Sequence, residues 1–419
     1  MRISRTLVCC AVAAAMGPLV SNALAGGFAI GTQSGSGTGN AFAGGAAAAD
    51  DASVAWYNPA GMMILPGGKQ VAGALHALNP SFKFQNAGST GAFAAPGTGD
   101  GGDGGDWAFV PNAFFAMDIN PKWRFGLALN APFGLKTEYD AGWRGQLTAL
   151  LSEVKAVNIN PSVAFKASDT VSIGAGLSVQ KLDAELTNFA GAAGIANMSA
   201  DDVGYGFNVG VMIQAAPGTR IGAHYRSTIK YDLEGTATFS AAPAGNSNVR
   251  ADLKLPGSAS VSVFHQLNPK WELMGDITWT GWSTLQQLVV TRTSGPLTGT
   301  TLSTLAFRWS DTWRFGVGAN YKMSDQMKIR FGAAWDETPT NDATRTPRLP
   351  DQDRTWVAIG MQYRVSKAGM LDVGYAHEFI RDASVNVPVP GVTTCAAGCL
   401  TGRFDNKADI LSIQYSHRF

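Results

Sequence analysis

The chain has 419 residues, 50 of them glycine, with 15% charged residues and a formal net charge of +1. Charge so sparse, against about 25% in soluble proteins, with a mean hydropathy near zero, fits neither an ordinary soluble core nor a bundle of membrane helices. No broad basic excess points to nucleic acid, and the length suits one large barrel.

Residues 1–25 read as a cleaved export signal. Arg2 and Arg5 make a basic start, Leu7 to Val20 is apolar, and Ala23-Leu24-Ala25 is a small-x-small cleavage site. The apolar run is short and contains Gly17 and Pro18, which argues against a lasting anchor helix. Cys9 and Cys10 come too early for a lipoprotein site and leave with the signal. Cleavage removes two arginines from 32 basic residues and none of the 31 acids, so 30 against 31 remain, a net charge of about −1. No later stretch has 18 consecutive apolar residues. An exported chain of this kind is periplasmic, secreted or an outer-membrane barrel.

Residues 26–68 are rich in glycine and alanine and show little alternation, from Gly26-Gly27-Phe28 to Trp56-Tyr57-Asn58-Pro59-Ala60-Gly61. A disordered leader fits this composition. A hatch plugging the lumen fits it too, because a wide barrel leaks unless something fills it.

Residues 69–419 carry the barrel pattern. Apolar side chains recur every second residue at Val171-Ile173-Ala175-Leu177-Val179, Tyr205-Phe207-Val209-Val211-Ile213 and Trp313-Phe315-Val317-Ala319-Tyr321. Met327-Ile329-Phe331-Ala333-Trp335 and Leu411-Ile413-Tyr415 repeat it, and small, polar or charged residues fill the alternate positions. A soluble sandwich also alternates, but a Gly-rich, charged opposite face suits a wet lumen. Short turns fall at Asn120-Pro121-Lys122, Ser168-Asp169, Pro217-Gly218, Asn268-Pro269-Lys270, Ser324-Asp325 and Lys367-Ala368-Gly369. Longer polar segments fall near 86–106, 131–151, 189–202, 235–250, 281–302, 337–352 and 382–404. Six short turns and seven long loops join about 14 strands, an even number with both ends periplasmic. The expected fold is therefore all-β, a 14-stranded antiparallel transmembrane barrel, closed because backbone in lipid must satisfy its own hydrogen bonds. Trp123 and Trp271 follow periplasmic turns, and Trp279 and Trp282 fall about one membrane thickness further on, so all four are expected in the interfacial girdles. Phe419 ends the last strand as barrel assembly requires.

Several short motifs run in one order along the mature chain: Ala49-Asp50-Asp51-Ala52, Asn58-Pro59-Ala60, Pro132-Phe133-Gly134-Leu135, Asn160-Pro161-Ser162, Tyr225-Arg226-Ser227, Trp279-Thr280-Gly281-Trp282-Ser283 and Leu349-Pro350-Asp351-Gln352-Asp353-Arg354. Together they resemble the FadL family of outer-membrane transporters of long-chain fatty acids and other hydrophobic compounds. The resemblance implies a hatch containing Gly27, Phe28, Asn58, Pro59, Ala60 and Gly61. It also implies a path from a groove among the outer loops to a lumen pocket, then through a side gap at an inward kink of the third strand, here about 122–131 running into Pro132, Phe133 and Gly134. Pro and Gly weaken a strand ladder, so a break there is physically reasonable.

A fatty acid needs a cation near its carboxylate. Lys136, Arg144, Arg226 and Arg308 are candidates, and each could instead pair with a lumen acid. Where fatty-acid members carry basic residues at the outer end of the fifth strand, this chain has Asp183 and Glu185 beside Lys181, which leaves room for neutral aromatics such as toluene. A water-filled general porin or a structural barrel are the competing classes. No Gly-x-Ser-x-Gly elbow or nucleotide loop is present, so no enzyme, cofactor or metal is expected. Cys395 and Cys399, the only mature cysteines, are a candidate disulfide in an oxidising compartment. The expected surroundings are outer-membrane lipid and lipopolysaccharide, with the barrel a monomer.

Overall fold

The computed structural model describes residues 26–95 and 98–419, so the expected export signal lies outside the described residues. The alternating stretches form twenty strand segments. The first seven are β1 (Lys69–Asn86), β2 (Ala108–Asn120), β3 (Trp123–Asn130), β4 (Gly134–Glu138), β5 (Leu151–Lys166), β6 (Val171–Phe189) and β7 (Ile195–Ala216). Then come β8 (Thr219–Arg226), β9 (Ile229–Phe239), β10 (Ser247–Leu255), β11 (Ser258–Gln266), β12 (Trp271–Thr280), β13 (Gln287–Arg292) and β14 (Thr301–Ala306). The last are β15 (Thr312–Lys322), β16 (Met327–Asp336), β17 (Arg354–Arg364), β18 (Gly369–Ile380), β19 (Ala383–Pro388) and β20 (Cys399–Arg418).

Six pairs of segments run end to end, β3–β4, β8–β9, β10–β11, β12–β13, β14–β15 and β18–β19, so the twenty make fourteen staves. All pairings are antiparallel, and β1 meets β20 from Gln70↔Arg418 to Asn86↔Gly402, which closes the wall. Closure removes the unpaired edges that lipid could not satisfy. The outward residues of the lower wall, such as Tyr205, Phe207, Trp313, Phe315 and Val317, are exposed, while their neighbours Asn208 and Asn320 are buried inside.

The outer ends differ from the sequence expectation. Much of 195–202, 235–250, 287–302, 383–388 and 399–404 is strand rather than loop. There the chemistry of the two faces inverts. Tyr231, Leu233, Val249 and Leu253 face inward and are buried, while Lys230, Asp232, Glu234 and Lys254 point outward. Above the lipid the outside is water, so the apolar face turns in. Trp282 also departs from expectation. It is 1% exposed and lies inside the wall, not in the interfacial girdle.

Residues 26–65 lie within the barrel as single-turn helices at Gly35–Thr38, Gly45–Ala48 and Val54–Tyr57 and a 3-10 turn at Pro59–Ile64. Asn58 ties this inner segment to the wall through its Nδ2, which donates to the Val211 carbonyl at 2.9 Å, while its Oδ1 caps the following turn by accepting from the Ala60 N–H at 3.1 Å. A buried ion-pair group does the same, with Arg330 bonded to Asp50 at 2.8 Å and to Asp372 at 3.0 Å. In the last outer loop Cys395 and Cys399 are joined by a disulfide.

Candidate functional site

A cavity of about 210 Å³ lies between the inner segment and the wall. Ile30, Phe42, Phe133, Trp282 and Trp356 give it an apolar lining, and His224, Arg226, Asp276, Arg314 and Asp336 its polar groups. Trp282 is brought there by the 3-10 turn Trp282–Thr284 that follows Gly281. The turn is held by Asp311, whose carboxylate accepts from the Ser283 N–H at 2.8 Å and from the Trp279 indole at 3.2 Å. Phe28, Trp282 and Trp309 pack edge to face, with ring centroids 5.0 Å apart for both Phe28–Trp282 and Trp282–Trp309. This aromatic group continues upward into the apolar inner face of the outer wall, through Leu285, Leu255 and Leu233. The lining is thus greasy from the outer rim down to the cavity.

The two cations of the cavity differ. Arg314 lies 3.4 Å from the Asp276 carboxylate. Arg226 donates to Ser178 Oγ at 3.1 Å and to the Trp56 carbonyl at 3.0 Å, and its guanidinium stacks 3.4 Å from the Trp56 ring centroid. Among the described residues no carboxylate lies within ion-pair distance of it. A guanidinium satisfied only by neutral groups retains its full charge for a ligand anion.

The wall is broken beside this cavity. β2 pairs with β3 only as far as Ala113↔Leu129, and β4 pairs with β5 but not with β2. Above Ala113, β2 therefore has no ladder partner on that side among the described residues. The inner segment bridges the interval. Its Ile30 N–H donates to the Pro132 carbonyl at 2.8 Å, and the Gly134 N–H donates to the Phe28 carbonyl at 2.9 Å. Gln33 completes the closure. Its Nε2 donates to the Ala131 carbonyl at 2.9 Å, its Oε1 accepts from Asn130 at 3.0 Å, and its backbone carbonyl accepts from Asn112 at 3.0 Å. Gln33 also lines the cavity, so it separates cavity from gap.

A barrel of fourteen staves, filled by its own N-terminal segment and broken at one stave, narrows the comparison. The model of the family described as outer membrane protein transport protein (OMPP1/FadL/TodX) matches residues 18–419. The chain belongs to this family. It is 26% identical over 428 residues to the long-chain fatty acid transport protein of Escherichia coli K12, covering 90% of this chain and 93% of that one. Among solved structures it is similar to a Pseudomonas aeruginosa FadL homologue, with TM-score 0.85 and 25% identity, covering 94% of this chain and all of the other. The Ralstonia pickettii toluene transporter TbuX shares the fold, with TM-score 0.66 and 17% identity over 92% of this chain and 98% of that one. The protein is thus an outer-membrane transport protein, not an enzyme.

The other cations expected at the site of this FadL-family barrel lie elsewhere. Lys136 is paired with Glu138 at 3.0 Å. Arg144 is held in the outer loops by Asp100 at 2.8 Å. Arg308 is exposed in the link between β14 and β15, with a left-handed backbone (φ 52°), and does not line the cavity. Pro132 and Phe133 line it, whereas Gly134 contributes its N–H to the bridge. Sequence reasoning missed Gln33, Arg314, Trp282 and Arg348. Arg348, in the outer loop before β17, is buried on Ser152 Oγ at 3.0 Å and the Leu151 carbonyl at 3.2 Å, and this burial pulls its pKa down to about 10. Trp282 stands in a quoted motif, but nothing in that motif shows the ring turning into the lumen. Arg348 and Trp282 become visible only when a loop or turn folds into the lumen, and Gln33 and Arg314 only when the inner segment meets the wall.

Proposed function

We propose that this barrel takes up long-chain fatty acids across the outer membrane as a monomer set among lipid and lipopolysaccharide. The acyl chain enters the apolar outer wall, the carboxylate binds Arg226, and the molecule leaves sideways between β2 and β4 when residues 28–33 withdraw. The observation that carries this reading is Arg226, a cavity-facing guanidinium with no carboxylate partner among the described residues. The fatty-acid relatives support it at similar length. Each buried CH2 contributes about 0.8 kcal/mol, so a long chain can descend a series of greasy sites with no other energy source.

Size favours a second reading, aromatic hydrocarbon uptake. Ligand pockets commonly hold about 300–1,000 Å³, while an apolar cavity of about 150 Å³ already takes benzene. The 210 Å³ here admits a toluene-sized molecule as it stands. A long acyl chain must extend upward along the outer wall or push the inner segment aside.

Oleate and toluene binding to the purified barrel, measured side by side by calorimetry, separates the two. A charge-assisted hydrogen bond contributes about 1.5–3 kcal/mol, so Arg226→Met should weaken oleate by roughly 10- to 100-fold and leave toluene nearly unchanged. Toluene binding without oleate binding would transfer the function to aromatics. Oleate binding that ignores Arg226→Met would remove Arg226 from the site.

A further inference from the structure

We propose that the inner segment is locked in the lumen by its own α-ammonium group: processing between Ala25 and Gly26 makes Gly26 the first residue, and its charged nitrogen forms a buried ion pair with Asp336. The Gly26 nitrogen is 3.2 Å from Asp336 Oδ2, and the next nitrogen, of Gly27, is 2.8 Å from Asp351 Oδ2. Both carboxylates are buried, at 5% and 3% exposure.

The charges around them do not balance without a further cation. Arg354 is bonded to Asp351 and, at 2.8 Å, to Glu378. Asp336 is the third buried carboxylate beside that single guanidinium. Among the described residues no side-chain cation lies within ion-pair distance of Asp336, and the nearby Arg314 is engaged by Asp276. An uncompensated buried carboxylate is costly. A free amine at Gly26 supplies the missing charge at the atom that already faces Asp336.

The local sequence suits a chain terminus seated this closely. A Cβ on residue 26 would lie 2.5 Å from the Glu337 carbonyl oxygen, so only glycine brings its nitrogen this near. Gly27 has φ +72°, and a Cβ there would meet the Trp282 ring at 2.8 Å. Hydrolysis of the Ala25–Gly26 bond adds hydroxyl to the Ala25 carbonyl carbon and hydrogen to the Gly26 nitrogen. That amine takes up a proton at neutral pH, since α-amines ionise near pH 8 (about 7.7–8.0). A chain that keeps its leader offers a neutral amide at that atom instead. Processing then changes the contact between Gly26 and Asp336 from an amide hydrogen bond to an ion pair. Maturation thereby strengthens the hold on the inner segment.

The test needs no ligand, so its outcome is independent of the oleate and toluene result. Intact mass of the purified barrel identifies its first residue. A reagent selective for α-amines is then applied at pH 7 to the native and the heat-unfolded protein. Gly26 should react at least about 10-fold more slowly in the native barrel, because a paired terminus reacts only when it opens. Asp336→Asn should abolish that protection while the folded barrel keeps its heat-modifiable gel mobility. Should Asp336→Asn fail to fold, an alanine inserted between Ala25 and Gly26 keeps Asp336 and displaces the amine, and should also react fast. A mature chain starting elsewhere, a native terminus as reactive as the unfolded one, or protection that survives displacement of the amine would overturn the proposal.

Discussion

Trp282 shows how a single side chain can be misjudged from spacing. Counted along the strand that begins at Trp271, it falls where an interfacial tryptophan belongs. The backbone at Gly281 (φ −80°, ψ 57°) ends the strand and turns the ring inward instead. Nothing in Trp279-Thr280-Gly281-Trp282 announces that rotation. Replacing it tests its weight: Trp282→Ala removes the edge contacts with Phe28, Phe133 and Trp309. Truncation of a buried tryptophan costs about 3–5 kcal/mol. A denaturant series in detergent should therefore show a lowered unfolding midpoint, and an unchanged midpoint would mean the aromatic group is not tightly packed. Asp311 makes a pH-dependent contribution to the same turn. Partial burial opposes its charge, but the hydrogen bonds from Ser283 and Trp279 outweigh this and hold its pKa below the ordinary carboxylate value. A depressed carboxylate stabilises the fold above its ordinary pKa, near 3.9, and loses that contribution as pH falls through the lower, folded value. Tryptophan fluorescence should therefore stay constant down to about pH 4 and change below it. In Asp311→Asn that acid transition should be absent.

At the scale of the elements, the sequence made the lower wall legible because lipid outside and water inside impose opposite chemistry on alternate residues. The outer staves obey the same alternation with the faces exchanged, as in Val249-Arg250-Ala251-Asp252-Leu253-Lys254-Leu255. Polarity and charge in these stretches read as loop because a rule written for lipid no longer applies above it. Breaks in the staves were legible only where residues force them. Pro132 and Pro256-Gly257 mark two, but Ser227-Thr228 and Arg381-Asp382 break their staves with no proline or glycine. The inner segment was read from its composition, yet its anchorage depends on glycines in the wall, far away in sequence. A Cβ on Gly222 would lie 1.9 Å from the Ala46 carbonyl oxygen, and one on Gly332 would lie 2.0 Å from the Asn40 carbonyl carbon. Side chains at these positions meet inner-segment backbone, which cannot give way without moving the segment. Gly222→Val with Gly332→Val should leave a heat-modifiable, folded barrel whose inner segment is displaced. Planar-bilayer recordings should then show a large ion conductance that the unaltered protein lacks. Equal conductance in both would mean that the segment does not seal the lumen.

For the whole molecule, the question is whether the ladder between inner segment and broken stave must open for transport. Ala29 and Phe133 are antiparallel bridge partners there, and cross-strand neighbours stand about 4.5–5.5 Å apart, within the roughly 4.4–6.8 Å that a disulfide spans. Neither residue carries charge, so replacing both with cysteine changes little beyond the Phe133 ring. The native disulfide joins Cys395 and Cys399 at the outer loop before β20. When oxidised, the double variant Ala29→Cys with Phe133→Cys fixes residues 28–30 to the stave and keeps Gln33 between cavity and gap. Uptake of oleate by cells carrying it should fall by at least about tenfold, the loss expected when the open form can no longer be populated, and a membrane-impermeant reductant should restore it. The reduced form is the control for the missing ring, since it shares both substitutions and differs only in the bond. Binding to the purified barrel should survive oxidation, because the cavity lies on the near side of Gln33. Uptake that stays fast with the bond formed would show that ligands leave by another route, and that the break between β2 and β4 is a feature of the wall and not its exit.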